Sequence, residues 1–319
     1  MRRLVPLILA VSPTLASADL RIDAALDQHI LPRFAALTEA TQALANAETC
    51  DVSKEWNTAA AAWIAVSHLR FGPTEADNRA FALAFWPDPR GSTPSALSLL
   101  FGQDSFDITD ASIAGRGFYA MEFLLFDPAF IDAEGRCALV ERLADDVHIT
   151  SQHIEEDWQN HYADLMRNTG NDTYRDDTEA LQELYKSVTT GLDFTTSMRL
   201  GRPLGTFDRP RPTRAEMWRS GRSLDNVAVS LGSLEQLVFI LGDDTLRQDI
   251  QTHFQTAHDQ ICVITGREGG ADLSLVENPT ERIKVEALQQ RIGDLRVFLG
   301  EYLGPDLGVI EGFNSLDGD

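Results

Sequence analysis

Gly115-Arg116-Gly117-Phe118-Tyr119-Ala120-Met121-Glu122-Phe123-Leu124-Leu125-Phe126 is apolar on nearly every face, and a helix of that kind is buried on most of its sides. Glu122 is the one carboxylate in this run, and Tyr119 lies three residues earlier, on the same helical face. A carboxylate carried into a core must be paired, bind a metal, or take up a proton. Arg70 and Arg90, each in or beside a turn motif, are candidate ion-pair partners. A phenolate and a carboxylate are hard oxygen donors, which suit ferric iron better than zinc.

Working outward, the chain is periodic with the helical repeat. Trp56, Ala60, Trp63, Ile64 and Ser67 fall on one helical face, with alanines of high helix propensity between them. The same reading predicts helices over 111–126, 137–166, 178–198, 214–241, 245–265 and 276–303, and no run alternates as a strand would. Phe71-Gly72-Pro73, Trp86-Pro87-Asp88-Pro89-Arg90-Gly91, Asn168-Thr169-Gly170-Asn171 and Arg209-Pro210-Arg211-Pro212 are loops. The expected fold class is all-α, two packed helical-bundle domains. The expected division is 19–170 and 171–319, with the break near Gly170 or in the Gly201-to-Pro212 loop.

At the N-terminus, Arg2 and Arg3 precede a short apolar stretch, and Ala16-Ser17-Ala18 makes an A-x-A cleavage site. Residues 1–18 therefore read as a signal peptide. The mature chain would start at Asp19 and work in the periplasm or outside the cell. No segment approaches the ~18 uninterrupted apolar residues of a membrane span. The sequence has 49 acidic and 27 basic residues, and losing Arg2 and Arg3 takes its net charge from −22 to −24. Such a charge repels nucleic acid and anionic membranes. Cys50, Cys137 and Cys262 form no C-x-x-C motif. Cys50 and Cys137 both fall at helix ends in the first half, so an oxidising compartment predicts a disulfide between them, with Cys262 left free.

Four segments together are specific. They are His68-Leu69-Arg70-Phe71-Gly72-Pro73, Pro87-Asp88-Pro89-Arg90-Gly91, the Gly117-to-Glu122 helix, and the ending Gly312-Phe313-Asn314-Ser315-Leu316-Asp317-Gly318-Asp319. Through them the chain resembles the imelysin-like family of bacterial periplasmic and outer-membrane-associated proteins, over nearly its whole mature length. The resemblance implies a two-domain, all-helical fold. It also implies either a metallopeptidase, the activity for which the family was named, or a part in iron-regulated uptake. The family signature is G-x-H-x-x-E. Gly117 and Glu122 match it, but Tyr119 occupies the histidine position. A zinc peptidase needs that imidazole, so the substitution argues against peptidase activity.

The expected site therefore joins Tyr119, Glu122 and Asp317 as ligands for iron or another divalent or trivalent metal, with Arg70 and Arg90 lining it between the two bundles. His153, Asp157 and His161, at i, i+4 and i+8, form a weaker metal-like stripe on what reads as a solvated face. His68 reads as a capping or packing histidine. The favoured function is a periplasmic binding or accessory protein in iron or metal uptake, with protein partners of an uptake system. The alternatives are an imelysin-type metallopeptidase and an interaction protein without a small-molecule site.

Overall fold

The computed structural model describes residues 19–101, 107–266 and 272–309. Among these residues the secondary structure is helical, with one isolated bridge, Thr206 to Arg209, and no strand. In the first half, Leu31–Ala45 packs against both Ser53–Val66 and Arg136–Asp157, and Gly117–Phe126 lies against Arg136–Asp157. In the second half, Arg247–Thr265 packs on Pro279–Phe298 and on Ser223–Leu241, and Asp177–Phe194 contacts the last two. Ser53–Val66 also packs against Ser223–Leu241 and so joins the two groups. The buried side chains form one contiguous apolar cluster.

Local chemistry sets the ends of these helices. Asp176 accepts from the Glu179 amide (3.1 Å) to open Asp177–Phe194. Asn278 accepts from the Thr280 and Glu281 amides, with Pro279 at the first helical position. Cys50 and Cys137 are joined in a disulfide, with Cα atoms 5.0 Å apart, and Cys262 is free and exposed.

Three predicted helices differ in extent. The 111–126 segment begins with one 3₁₀ turn, Ile113–Gly115, before the helix proper starts at Gly117. The 137–166 helix is regular to Asp157, then opens into a π-helical stretch, Trp158–Tyr162, before Ala163–Arg167. The wider turn breaks the i, i+4, i+8 spacing on which the His153–Asp157–His161 stripe depended. Asp157 instead pairs with Arg79 at 2.6 Å, and His153 and His161 are exposed. The 214–241 helix begins only at Ser223, because Met217 (φ 48°) and Gly221 (φ 75°) turn residues 215–222 into a non-helical strap.

Ser223–Leu241 is long and apolar enough, by length and composition, to cross a membrane. In the fold it is a core helix, and its buried polar side chains Asn226, Ser230 and Ser233 hydrogen-bond to Glu216, Arg199 and the Ala65 carbonyl.

Candidate functional site around Tyr119 and Glu122

Gly117 opens the central helix with φ 74°, and a Cβ there would overlap the carbonyl oxygens of Ala82 and Leu83. Only glycine permits that approach. Phe118 and Trp63 stack behind it, and Trp56 Nε1 donates to the Phe118 carbonyl at 3.1 Å. Tyr119 and Glu122 are thereby held on a buried helix, at 5% and 2% exposure.

The strap 215–222 runs along this helix and supplies its partners. The Tyr119 hydroxyl donates to Glu216 Oε1 at 2.6 Å. Ser220 donates to Glu122 Oε1 twice, from its amide at 3.0 Å and its hydroxyl at 2.9 Å. Arg219 lies over the Phe123 ring, 3.5 Å from its centroid, and reaches Asp127 Oδ2 at 2.6 Å.

Glu216 in turn is held by Arg199, whose Nε donates to Oε2 at 2.7 Å, and by Asn226 Nδ2 at 3.2 Å. The remaining nitrogens of Arg199 donate to Thr195 and Ser230 at 3.2 Å each and to Ser67 at 3.0 Å. Both members of this ion pair are 2% exposed. A buried pair is tolerable only when its other hydrogen-bonding capacity is met, and here five side chains meet it.

Burial, followed by the charge of Glu216, pushes the Tyr119 phenol well above its ordinary range. Burial likewise raises the Glu122 carboxyl, partly offset by the two Ser220 hydrogen bonds and by Arg219.

Two cavities flank the helix. One, about 230 Å³, is lined by Trp63, His68, Arg70, Phe194 and Glu216 among others. The other, about 290 Å³, is lined by Asp88, Glu122, Arg202, Arg214 and Trp218 among others. Tyr119 and Trp86 line both; their rings stack at 6.3 Å and 11° and form the wall between them.

The structure places the expected site residues unevenly. Tyr119 and Glu122 share the second cavity. Arg70 lines the first, where it pairs with Glu75 and covers the Phe81 ring. Arg90 is exposed and lines neither cavity, because it sits at the tip of the turn before the Ser92–Leu100 helix. Asp317 lies outside the described residues. Glu122 therefore takes its hydrogen bonds from Ser220 rather than from Arg70 or Arg90. His68 is a buried packing residue, its Nε2 3.0 Å from His29 Nε2.

Glu216, Arg199, Ser220 and Asn226 escaped the sequence reading, since they lie 73 or more positions beyond the end of the helix they serve. A continuous helix over 214–241 would have stacked Glu216 and Ser220, four residues apart, on one of its own faces. Gly221 was the one local sign that the helix starts later.

Among the described residues, no three His, Cys, Asp or Glu side chains are grouped to hold a metal ion. The donors of the described residues thus do not make the three-ligand set of a catalytic zinc site.

No curated protein matches this chain. Among solved structures it is similar to an imelysin-like protein from Psychrobacter arcticum 273-4, with a TM-score of 0.72 and 17% identity over 94% of this chain and 100% of that one. It is also similar to a "putative iron-regulated protein A precursor" from Parabacteroides distasonis ATCC 8503, with a TM-score of 0.68 and 15% identity over 87% and 93% of the two chains. At these identities the likeness concerns the fold. The model of the imelysin family, peptidase M75, matches residues 22–297, and on that match the chain belongs to the imelysin family.

Proposed function

We propose that this chain is a non-peptidase binding or accessory protein of the imelysin family, serving iron or metal uptake outside the cytoplasm through the polar cavity around Glu122. One observation carries the reading. The side chain at the signature histidine position, Tyr119, gives its hydroxyl to Glu216, which Arg199 already neutralises. A phenol so engaged is a poor substitute for an imidazole zinc ligand. The iron connection draws on the name carried by the Parabacteroides relative. The two-domain division at 170/171 belongs to the same proposal, with the cavities lying where the halves meet.

The decisive experiment uses pure mature protein. Incubation with casein and insulin chains, with added zinc and with a chelator, should give no turnover. Chelator-sensitive cleavage that disappears in Glu122→Gln would overturn the reading. Ferric iron is titrated in parallel. Binding that is lost in Glu122→Gln supports uptake, a visible charge-transfer band absent from Tyr119→Phe would assign Tyr119 as a ligand, and weaker binding by Asp317→Asn would add Asp317. No saturable iron binding would favour the interaction protein without a small-molecule site.

Export has its own test. The backbone nitrogen of Asp19 lies 3.1 Å from Asp177 Oδ2. Cleavage after Ala18 would make that nitrogen an ammonium paired with a carboxylate. Mass spectrometry of the protein from its native host should find Asp19 first and place it outside the cytoplasm.

A further inference from the structure

The chain has 49 acidic and 27 basic residues, yet three arginines line the Glu122 cavity. Arg202 and Arg214 both line the Glu122 cavity, and neither forms an ion pair among the described residues. Arg202 is oriented over the Trp86 ring, 5.8 Å from its centroid, and its Nε is buried with no hydrogen-bond partner. Burial, followed by the charge of Arg214, pulls the Arg202 guanidinium below its ordinary range. The third arginine of the cavity, Arg219, is already paired with Asp127.

Asp88, which lines the same cavity, carries an unmet acceptor. Asp88 receives the Thr93 amide on Oδ2 at 2.8 Å, whereas its Oδ1 is buried without a partner. Its amide and hydroxyl hydrogen bonds hold the Asp88 carboxyl below its ordinary range despite burial, so it is charged. A multiply charged inorganic anion would be repelled there. Trp86, Trp218 and Phe123 supply apolar lining to the same cavity.

The geometry points to a small organic carboxylate that also bears a hydroxyl or ammonium donor, its acid group on Arg202 and Arg214 and its donor on Asp88. Planar guanidiniums match a planar carboxylate through paired hydrogen bonds. An aromatic or aliphatic body would lie against Trp86 and Trp218. A volume of about 290 Å³ is at the small end of ligand sites. This assignment rests on the reading that the Glu122 cavity is the binding site, and names what enters it.

The test is calorimetric titration of the full mature protein with mandelate, phenylalanine, phenylacetate and inorganic phosphate. Mandelate or phenylalanine should bind at one per chain and at least about tenfold more tightly than phenylacetate, which lacks the donor. The double variant Arg202→Ala/Arg214→Ala should lose at least about tenfold, while Arg247→Ala, a surface arginine paired with Asp244, should bind as the parent does. Thermal melts of each variant establish that it is folded. The inference is overturned if neither donor-bearing acid saturates, if the double variant binds unchanged, or if phosphate binds more tightly than the carboxylates. Should the acids fail while ferric iron still binds through Glu122, this inference falls and the uptake reading stands. If both fail, both fall.

Discussion

The hydroxyl of Tyr119 and the carboxylate of Glu216, 97 positions apart, meet at 2.6 Å inside the protein, and Arg199 closes the contact from the other side. The residue that departs from the family signature is therefore tied into a buried polar chain. Removing Glu216 strands a buried guanidinium, and Glu216→Ala should cost about 3–5 kcal/mol. Tyr119→Phe leaves the ion pair intact and should cost about 1–2 kcal/mol. Urea unfolding of both variants checks the order; a larger loss in Tyr119→Phe would contradict it.

Gly117 is shared with the family signature for a backbone reason. Its positive φ and the carbonyls of Ala82 and Leu83 leave no room for a Cβ. Gly117→Ala should destabilise by roughly 3 kcal/mol or more, combining left-handed strain with overpacking. Gly221→Ala, with positive φ but nothing within 4 Å, should cost only about 1–2 kcal/mol. Comparing the two melting temperatures separates clash from strain.

Thiol titration of the denatured, unreduced mature protein should find one free thiol per chain, and peptide mapping should place it at Cys262. The disulfide closes a sequence separation of 87, for which the chain-entropy model gives about 4–5 kcal/mol. Reduction should lower the unfolding midpoint accordingly. Alkylation of Cys137 before reduction would contradict the pairing.

His29 is buried against His68 and beside Arg33, and burial pulls its imidazole down to about 3. The folded protein keeps it neutral, while the unfolded chain protonates it below about pH 6.5. As pH falls from 6.5 towards 3, the unfolded state therefore binds more protons and stability declines, by up to about 1.4 kcal/mol per pH unit from this group. Glu122, whose carboxyl is raised, works in the opposite sense, so the diagnostic quantity is a difference. The stability profile of His29→Gln between pH 5 and 7 should be flatter than the parent's. A parallel profile would show that His29 is not the group responsible.

Much of the architecture was legible along the chain because helices are local. The 3.6-residue repeat places Trp56, Trp63 and Ile64 on one face whatever the rest of the chain does, and an almost wholly apolar run such as 117–126 can only be interior. The Cys50–Cys137 pairing followed from two helix ends and an odd thiol. The position of Tyr119 in place of a histidine is likewise a property of the sequence alone. What tertiary structure decided is who answers the buried charges. Ser220 rather than Arg70 or Arg90 reaches Glu122, and Glu216 with Arg199 reaches Tyr119, because Met217 and Gly221 bend 215–222 across the helix. The unpaired Arg202 and Arg214 likewise acquire meaning only when folding sets them on one cavity with Asp88. Helical periodicity is written in neighbouring residues, whereas the partner of a buried charge is chosen by chain closure over a hundred residues, which no local pattern encodes.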